Sequence, residues 1–286
     1  MHESRPSEKN PRPLWQRIPV AIRAPLVALL ILNIGQVTPA LAVWLNLKMA
    51  PELPLFLAFT LLWLWFFWRY LDGHGWPRRL SETRRRDLRA TALSGKTWAW
   101  SLLAGGLGMA AVMSLVLLTG RVADLPEEAY RAPFDLGAYP AWTVLAFFLS
   151  LAATAGVVEE AAFRGYMLSQ LQRRYGWGIA IGAVAVLFYI VHLSHAYATP
   201  AFLPFFAAYS LLHGALVCLT RSILPSVILH CIGDFCILPM QYGVLPLPFG
   251  PTYLPYLVAM LLFATASVPA FVQLRKSVGT TQDDAN

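Results

Sequence analysis

The chain has 286 residues, of which 57% are hydrophobic and only 13% charged, with a formal net charge of +7. That is too apolar for a soluble globular domain, and the apolar residues come in long blocks, so the expectation is an all-α polytopic bundle of membrane helices. No nucleic-acid partner is expected either, because most of the basic residues flank apolar blocks, the pattern of a membrane protein.

Residues 1–20 are polar, basic and interrupted by proline, and read as a disordered cytoplasmic tail. A first span follows at about 25–45. Its Ala40-Leu41-Ala42 looks like a signal-peptidase site, but the apolar run begins late and outlasts a signal core, so it is kept as a helix. The second span, about 53–70, is dense in Trp and Phe, and Trp63–Trp68 is assigned to lipid contact and interface anchoring. Residues 69–96 carry eight basic residues against three acidic ones. They read as a solvated cytoplasmic loop, His74 included, with contact to anionic lipid as a side benefit. The third span is about 98–119, followed by a loop of acidic excess at 121–139 holding Asp124, Glu127, Glu128 and Asp135.

The fourth span begins near Ala141. The fifth runs at about 178–195, the sixth at 201–219, the seventh at 223–240 and the eighth at 252–273. Residues 277–286 form a polar C-terminal tail, and 21–276 a single transmembrane domain with its motif core at 140–240. Cys218, Cys231 and Cys236 lie within apolar segments and read as small buried side chains, not a disulfide framework. About eight transmembrane helices place both termini on one side. With the N-terminus inside, eighteen basic residues fall on the cytoplasmic side and three outside, Arg164 being intramembrane. That asymmetry favours an N-in, C-in arrangement.

Few strongly polar residues interrupt the spans: Glu159, Glu160 and Arg164 on the fourth, His192 and His195 on the fifth, His213 on the sixth, and His230 and Asp234 on the seventh. Each ionisable group at such depth costs at least about 2.5–3.5 kcal/mol on insertion scales, which makes them candidates for function. Glu160 and Arg164 are four apart and suit an intrahelical ion pair. Glu159 is turned about 100° away, so the two glutamates are expected to do different jobs.

If the fourth and fifth spans form a hairpin turning at 175–178, Glu159 and His192 lie at equal height, about 24 Å along their helices from the turn. The stretch 165–174 is expected to project beyond the hydrocarbon, leaving a depth of about 10–15 Å. His230, nine residues past Arg221, lies at a similar level. Side chains from three helices thus converge, in a site expected to open towards the cytoplasm. His195 is a marginal candidate on its spacing from His192, and His213 reads as a packing histidine, with support of a site residue as the alternative.

The motifs Glu-Glu-x-x-x-Arg (Glu159, Glu160, Arg164), Phe-x-x-x-His (Phe188, His192) and His-x-x-x-Asp (His230, Asp234), in this order on successive helices, resemble the CPBP family. Its members are CAAX-processing and bacteriocin-processing intramembrane proteases, also called the Abi family. The motifs cover about 155–236; the first three spans match only in kind.

The resemblance implies hydrolysis of a peptide bond by activated water, in a multi-pass protein of a bacterial inner (plasma) membrane. Glu159 looks like the general base, with His192 holding and polarising the water. His230 and Asp234 take positions linked to oxyanion stabilisation, while Glu160 and Arg164, with Phe188, support the site. The third motif more often ends in Asn. A charged Asp234 cannot donate a hydrogen bond, so it either stays protonated or orients His230.

Glu159, His192 and His230 also form a set compatible with catalytic zinc. Metal-independent chemistry is favoured, because Glu159 does not easily serve as both ligand and base. The expected partners are membrane lipid and a membrane-anchored protein or peptide, prenylated or leader-bearing. Two other function classes are a non-catalytic bacteriocin-immunity or assembly factor on the same scaffold, and a transporter using the carboxylates as a proton relay. The latter calls for internal inverted repeats, and no clear repeat is present.

Overall fold

The computed structural model describes residues 17–124, 132, 134–195, 198–246, 248, 250 and 252–283. Within them every regular element is helical: α1 (Val20–Met49), α2 (Leu55–Leu71), α3 (Ser81–Leu88), α4 (Gly95–Val122), α5 (Ala141–Glu159), α6 (Leu168–His192), α7 (Leu203–Thr220), α8 (Leu224–Gln241) and α9 (Leu254–Asp283). A π-helical segment, Glu160–Met167, joins α5 to α6. Local signals set several starts. Ser94 caps α4 by accepting a hydrogen bond from the Thr97 amide at 3.2 Å, and Pro225 sits at the head of α8, where its missing N–H costs nothing.

Among the described residues, six segments are long and apolar enough to cross a membrane. Two features separate that number from the expected eight. Leu55–Leu71 has only 17 residues. Ala141–His192 is one 52-residue run containing both the fourth and fifth expected spans. At Gly176 its backbone leaves the helical region (φ 79°, ψ 169°), a conformation open to glycine. Here the chain folds back: the Phe163 and Phe188 rings are 5.3 Å apart, whereas 25 residues of straight helix would separate them by about 37 Å. The pair also has the register expected of the hairpin.

Helix ends alternate between two faces of the bundle. On one, the Trp142 indole donates to the Glu52 carbonyl at 2.9 Å, Thr143 to the Pro51 carbonyl at 2.6 Å, and the Ala132 amide to the Gln241 carbonyl at 2.8 Å. The other face carries the basic segments. Most of the expected solvated loop is exposed there, six of its eight basic residues included, but part of it is packed. Arg84 is buried, spreads its guanidinium over Tyr70 and donates to the carbonyls of Tyr70 (2.8 Å) and His74 (2.9 Å).

Asp87, also buried, receives Arg173 at 2.8 Å, and its carbonyl accepts from Ser169 at 3.0 Å. Arg89 donates to Gln172 at 2.8 Å, while its carbonyl accepts from the Ile223 amide at 3.0 Å. α3 thus roofs the stretch expected to project beyond the hydrocarbon, where Gly165–Ser169 are buried. The cause is the mixed content of the loop: carbonyls and one acid to satisfy its arginines, and Leu88, fully buried, to seat it. His74 is exposed as expected.

Other boundaries shift modestly. Val20, assigned to the tail, begins α1, and α9 continues to Asp283, past the expected start of the polar tail. The tail up to residue 16, Glu127 and Glu128 lie outside the described residues. Asp124 and Asp135 are described. The cysteines are free, and Cys236 is exposed. Of the aromatic block, Trp65 and Phe66 are exposed, but Phe67 is buried and the Trp63 indole donates to the Gly35 carbonyl at 3.3 Å.

Small residues let the helices approach closely, as in membrane bundles generally. A Cβ at Gly35 would strike Val158, and one at Gly156 would strike Cys231 Sγ and the Val227 carbonyl. Gly156→Val is therefore expected to destabilise the bundle by about 1–3 kcal/mol through overpacking. Gly106, with open space around it, should accept Ala with little change. Thermal unfolding of both variants in detergent checks this contrast.

Candidate active site

The site is built where α5 gives way to the π-helical segment. Every residue from Glu160 to Met167 is buried. Such wide turns are uncommon in helices and recur at functional sites. Here the turn begins at the second of two adjacent glutamates, and their surroundings diverge.

Glu160 is fully buried and surrounded by donors. Arg164 Nη1 lies 3.1 Å from its Oε1. Nη1 has no partner of hydrogen-bond geometry, so these two meet as charges, not along an aligned bond. The Arg164 guanidinium is also held by Ser210 Oγ at 3.3 Å and by the face of Phe188, 4.5 Å away.

From α8, Ser226 donates to Glu160 Oε2 at 2.5 Å and His230 Nδ1 to Oε1 at 2.8 Å. His213 of α7 reaches Ser226 Oγ with Nδ1 at 2.5 Å and lies 3.7 Å from Glu160 Oε1. Because the Ser226 hydrogen points to the carboxylate, its oxygen accepts from His213. The expected Glu160–Arg164 pair is present, but as part of a polar knot joining the π-helical segment to α7 and α8. His213 is no simple packing residue; it props that knot.

Glu159 faces the other way, into a cavity of about 1120 Å³ that it lines together with Phe188, His192, His230 and Asp234. Gln36 of α1 donates to its Oε1 at 2.9 Å. Its Oε2 is 3.8 Å from His230 Nε2, and Asp234 Oδ2 is 3.6 Å from the same nitrogen. These separations exceed direct hydrogen bonds and place the two carboxylates and the imidazole in charge contact at the cavity wall. Since Nδ1 of His230 is committed to Glu160, only Nε2 is turned to this bay.

His192 sits at the end of α6, its Nδ1 on the Phe188 carbonyl at 2.6 Å and its ring against Phe188 and Phe206. That bond fixes the tautomer and leaves Nε2 for the cavity. His195 also lines the cavity, one turn outward. Phe188, stacked on Tyr209 at 5.5 Å, forms the floor between His192 and Arg164.

Gln36, Ser210, Tyr209 and Ser226 are the contributors that the motifs do not mark. Gln36 carries a usable signal, an amide inside an apolar helix, of the same kind that marks the glutamates. Ser226 precedes His230 by four residues and so shares its face. Ser210 and Tyr209 carry no comparable signal.

The cavity runs from the Glu159 level to Lys48, Phe134, Tyr139 and Gln241, at the face opposite the basic segments. No lining residue comes from 72–94 or 160–187. Among the described residues, no group of three or more His, Cys, Asp and Glu side chains is arranged to hold a metal ion.

Residues 140–236 match a family model described as Rce1-like, type II CAAX prenyl endopeptidase Rce1-like. The match spans roughly a third of the chain and contains every motif residue. The CPBP resemblance holds over that region, and the match supports CAAX-type protease activity. No curated protein and no solved structure matches the chain.

The division between the glutamates has a measurable consequence. Glu160→Gln weakens the counter-charge of a fully buried arginine, an error that costs about 3–5 kcal/mol in buried pairs. Glu159→Gln keeps a polar group beside Gln36 at the cavity wall. A large drop in thermal stability for Glu160→Gln, and little change for Glu159→Gln, is the expected result.

Proposed function

We propose that this integral membrane protein is an intramembrane endopeptidase that hydrolyses a peptide bond of a membrane-associated protein with water activated by Glu159. The observation that carries the reading is the bay at the base of the cavity, where Glu159 Oε2 and Asp234 Oδ2 flank His230 Nε2 at 3.8 and 3.6 Å. A water in the cavity at Glu159 Oε2 would meet a carboxylate base with an imidazole beside it. Carboxylates in such positions act as general bases, and preorganised donors stabilise the oxyanion that follows.

In this reading Glu159 takes a proton from the water as its oxygen bonds to the carbonyl carbon. His192, across the cavity, holds and polarises the water. His230 Nε2 faces the oxyanion. Collapse breaks the C–N bond, and the proton on Glu159 passes to the leaving nitrogen. Asp234 stands where a donor amide is commoner; as a carboxylate it accepts only, so its part is to orient His230. Glu160 and Arg164 do not touch the bay; they position it. Gln36 positions Glu159.

Membrane-anchored proteins or peptides are the substrate class such a site can reach. The chemistry is metal-independent, leaving Glu159 free to serve as base.

Removing the base lowers general-base catalysis by about 10²–10⁴-fold. Comparative membrane proteomics of cells carrying wild type and Glu159→Ala should therefore reveal a precursor that accumulates in the variant. A biological effect that survives Glu159→Ala with no precursor change would favour the immunity or assembly role instead. Proteolysis by purified enzyme is expected to persist after exhaustive chelation. Loss that zinc restores would overturn the metal-independent mechanism.

A further inference from the structure

The two faces of the bundle differ in charge and in access, and the two differences oppose each other. The basic segments, with exposed Arg79 and Lys276, lie at the face roofed by α3. There Leu88 is fully buried, and Asp87 and Arg89 are bonded to Arg173 and Gln172. The cavity avoids this end. It occupies the opposite half of the bundle, with Glu159 and His230 near its inner limit and Lys48 and Tyr139 near its rim. Basic segments mark the cytoplasmic side of membrane proteins, because their transfer across the bilayer is disfavoured.

From this opposition we propose that the site is reached from the non-cytoplasmic side, and that its substrate is an apolar, membrane-anchored segment of a protein exposed on that side. The cavity chemistry agrees. At about 1120 Å³ it exceeds the range of ordinary small-molecule pockets. Among its lining residues the carboxylates are Glu159 and Asp234 at the base, beside the histidines of the site, and Lys48 lies towards the rim. An extended apolar stretch fits such a wall, and a strongly charged one does not. A prenylated C-terminus displayed in the cytoplasm would face the roofed end.

The substrate class rests on the protease reading above; the direction of access does not. Single-cysteine labelling tests direction first. Glu52→Cys reports the cavity face and Arg79→Cys the roofed face, with Lys276→Cys as a second reporter and the unaltered chain as the background from its own cysteines. In intact cells or right-side-out vesicles, a membrane-impermeant sulfonated maleimide should label Glu52→Cys at least tenfold faster than Arg79→Cys or Lys276→Cys. Opening the membrane should equalise them. The reverse preference overturns the proposal.

The proteins that accumulate in Glu159→Ala cells test the substrate class. Their scissile bonds should lie at or beyond the non-cytoplasmic face. Cleavage sites confined to the cytoplasmic side would overturn this proposal while leaving the protease reading intact. Absence of any Glu159-dependent product would overturn the protease reading and the substrate class with it, and the labelling would still decide the direction.

Discussion

The carboxylate of Glu160 is the interaction on which the rest of the bundle depends. It is fully buried, and it takes one charge contact from Arg164 and hydrogen bonds from Ser226 and His230, with His213 bracing Ser226. Burying a lone carboxylate is prohibitive, and burying a pair repays the desolvation only when the remaining lone pairs are also satisfied. Here donors from α7 and α8 complete the set that Arg164 begins. That requirement fixes the rotation of the π-helical segment against two other helices, because any other rotation leaves charge unmatched.

The consequence for Glu159 is geometric. With its neighbour turned inward, Glu159 faces the cavity, tethered by Gln36 and held near His230. The same histidine serves both glutamates, one nitrogen each. Whatever chemistry takes place in the bay is therefore aligned by the structural knot behind it. Close helix contacts at Gly35 and Gly156 remove slack between α1, α5 and α8, the three helices that carry Gln36, Glu159 and His230.

A second consequence concerns the ends of the bundle. The roof formed by α3 satisfies its own arginines with carbonyls and Asp87, covers Gly165 and Ser169, and pairs with Arg173. A bundle closed at one end by protein and hollow at the other gives its buried site one direction of approach. Charge distribution and cavity direction are independent properties of the chain, so their opposition is informative about topology.

Composition and periodicity were enough to determine the helical class, the membrane setting and the location of most helices, because long apolar blocks permit little else. The residues around the bay were legible too, since an ionisable side chain in an apolar helix announces its cost. The Glu160–Arg164 pair and the hairpin register followed from helix geometry, which is local. What tertiary structure alone decided was which partners complete each glutamate, that Gln36 and Ser226 join the site, that α3 packs as a roof, and which end the cavity faces. Those outcomes depend on how helices rotate and pack against one another, and a linear pattern of polarity constrains the face of a helix without saying what it meets.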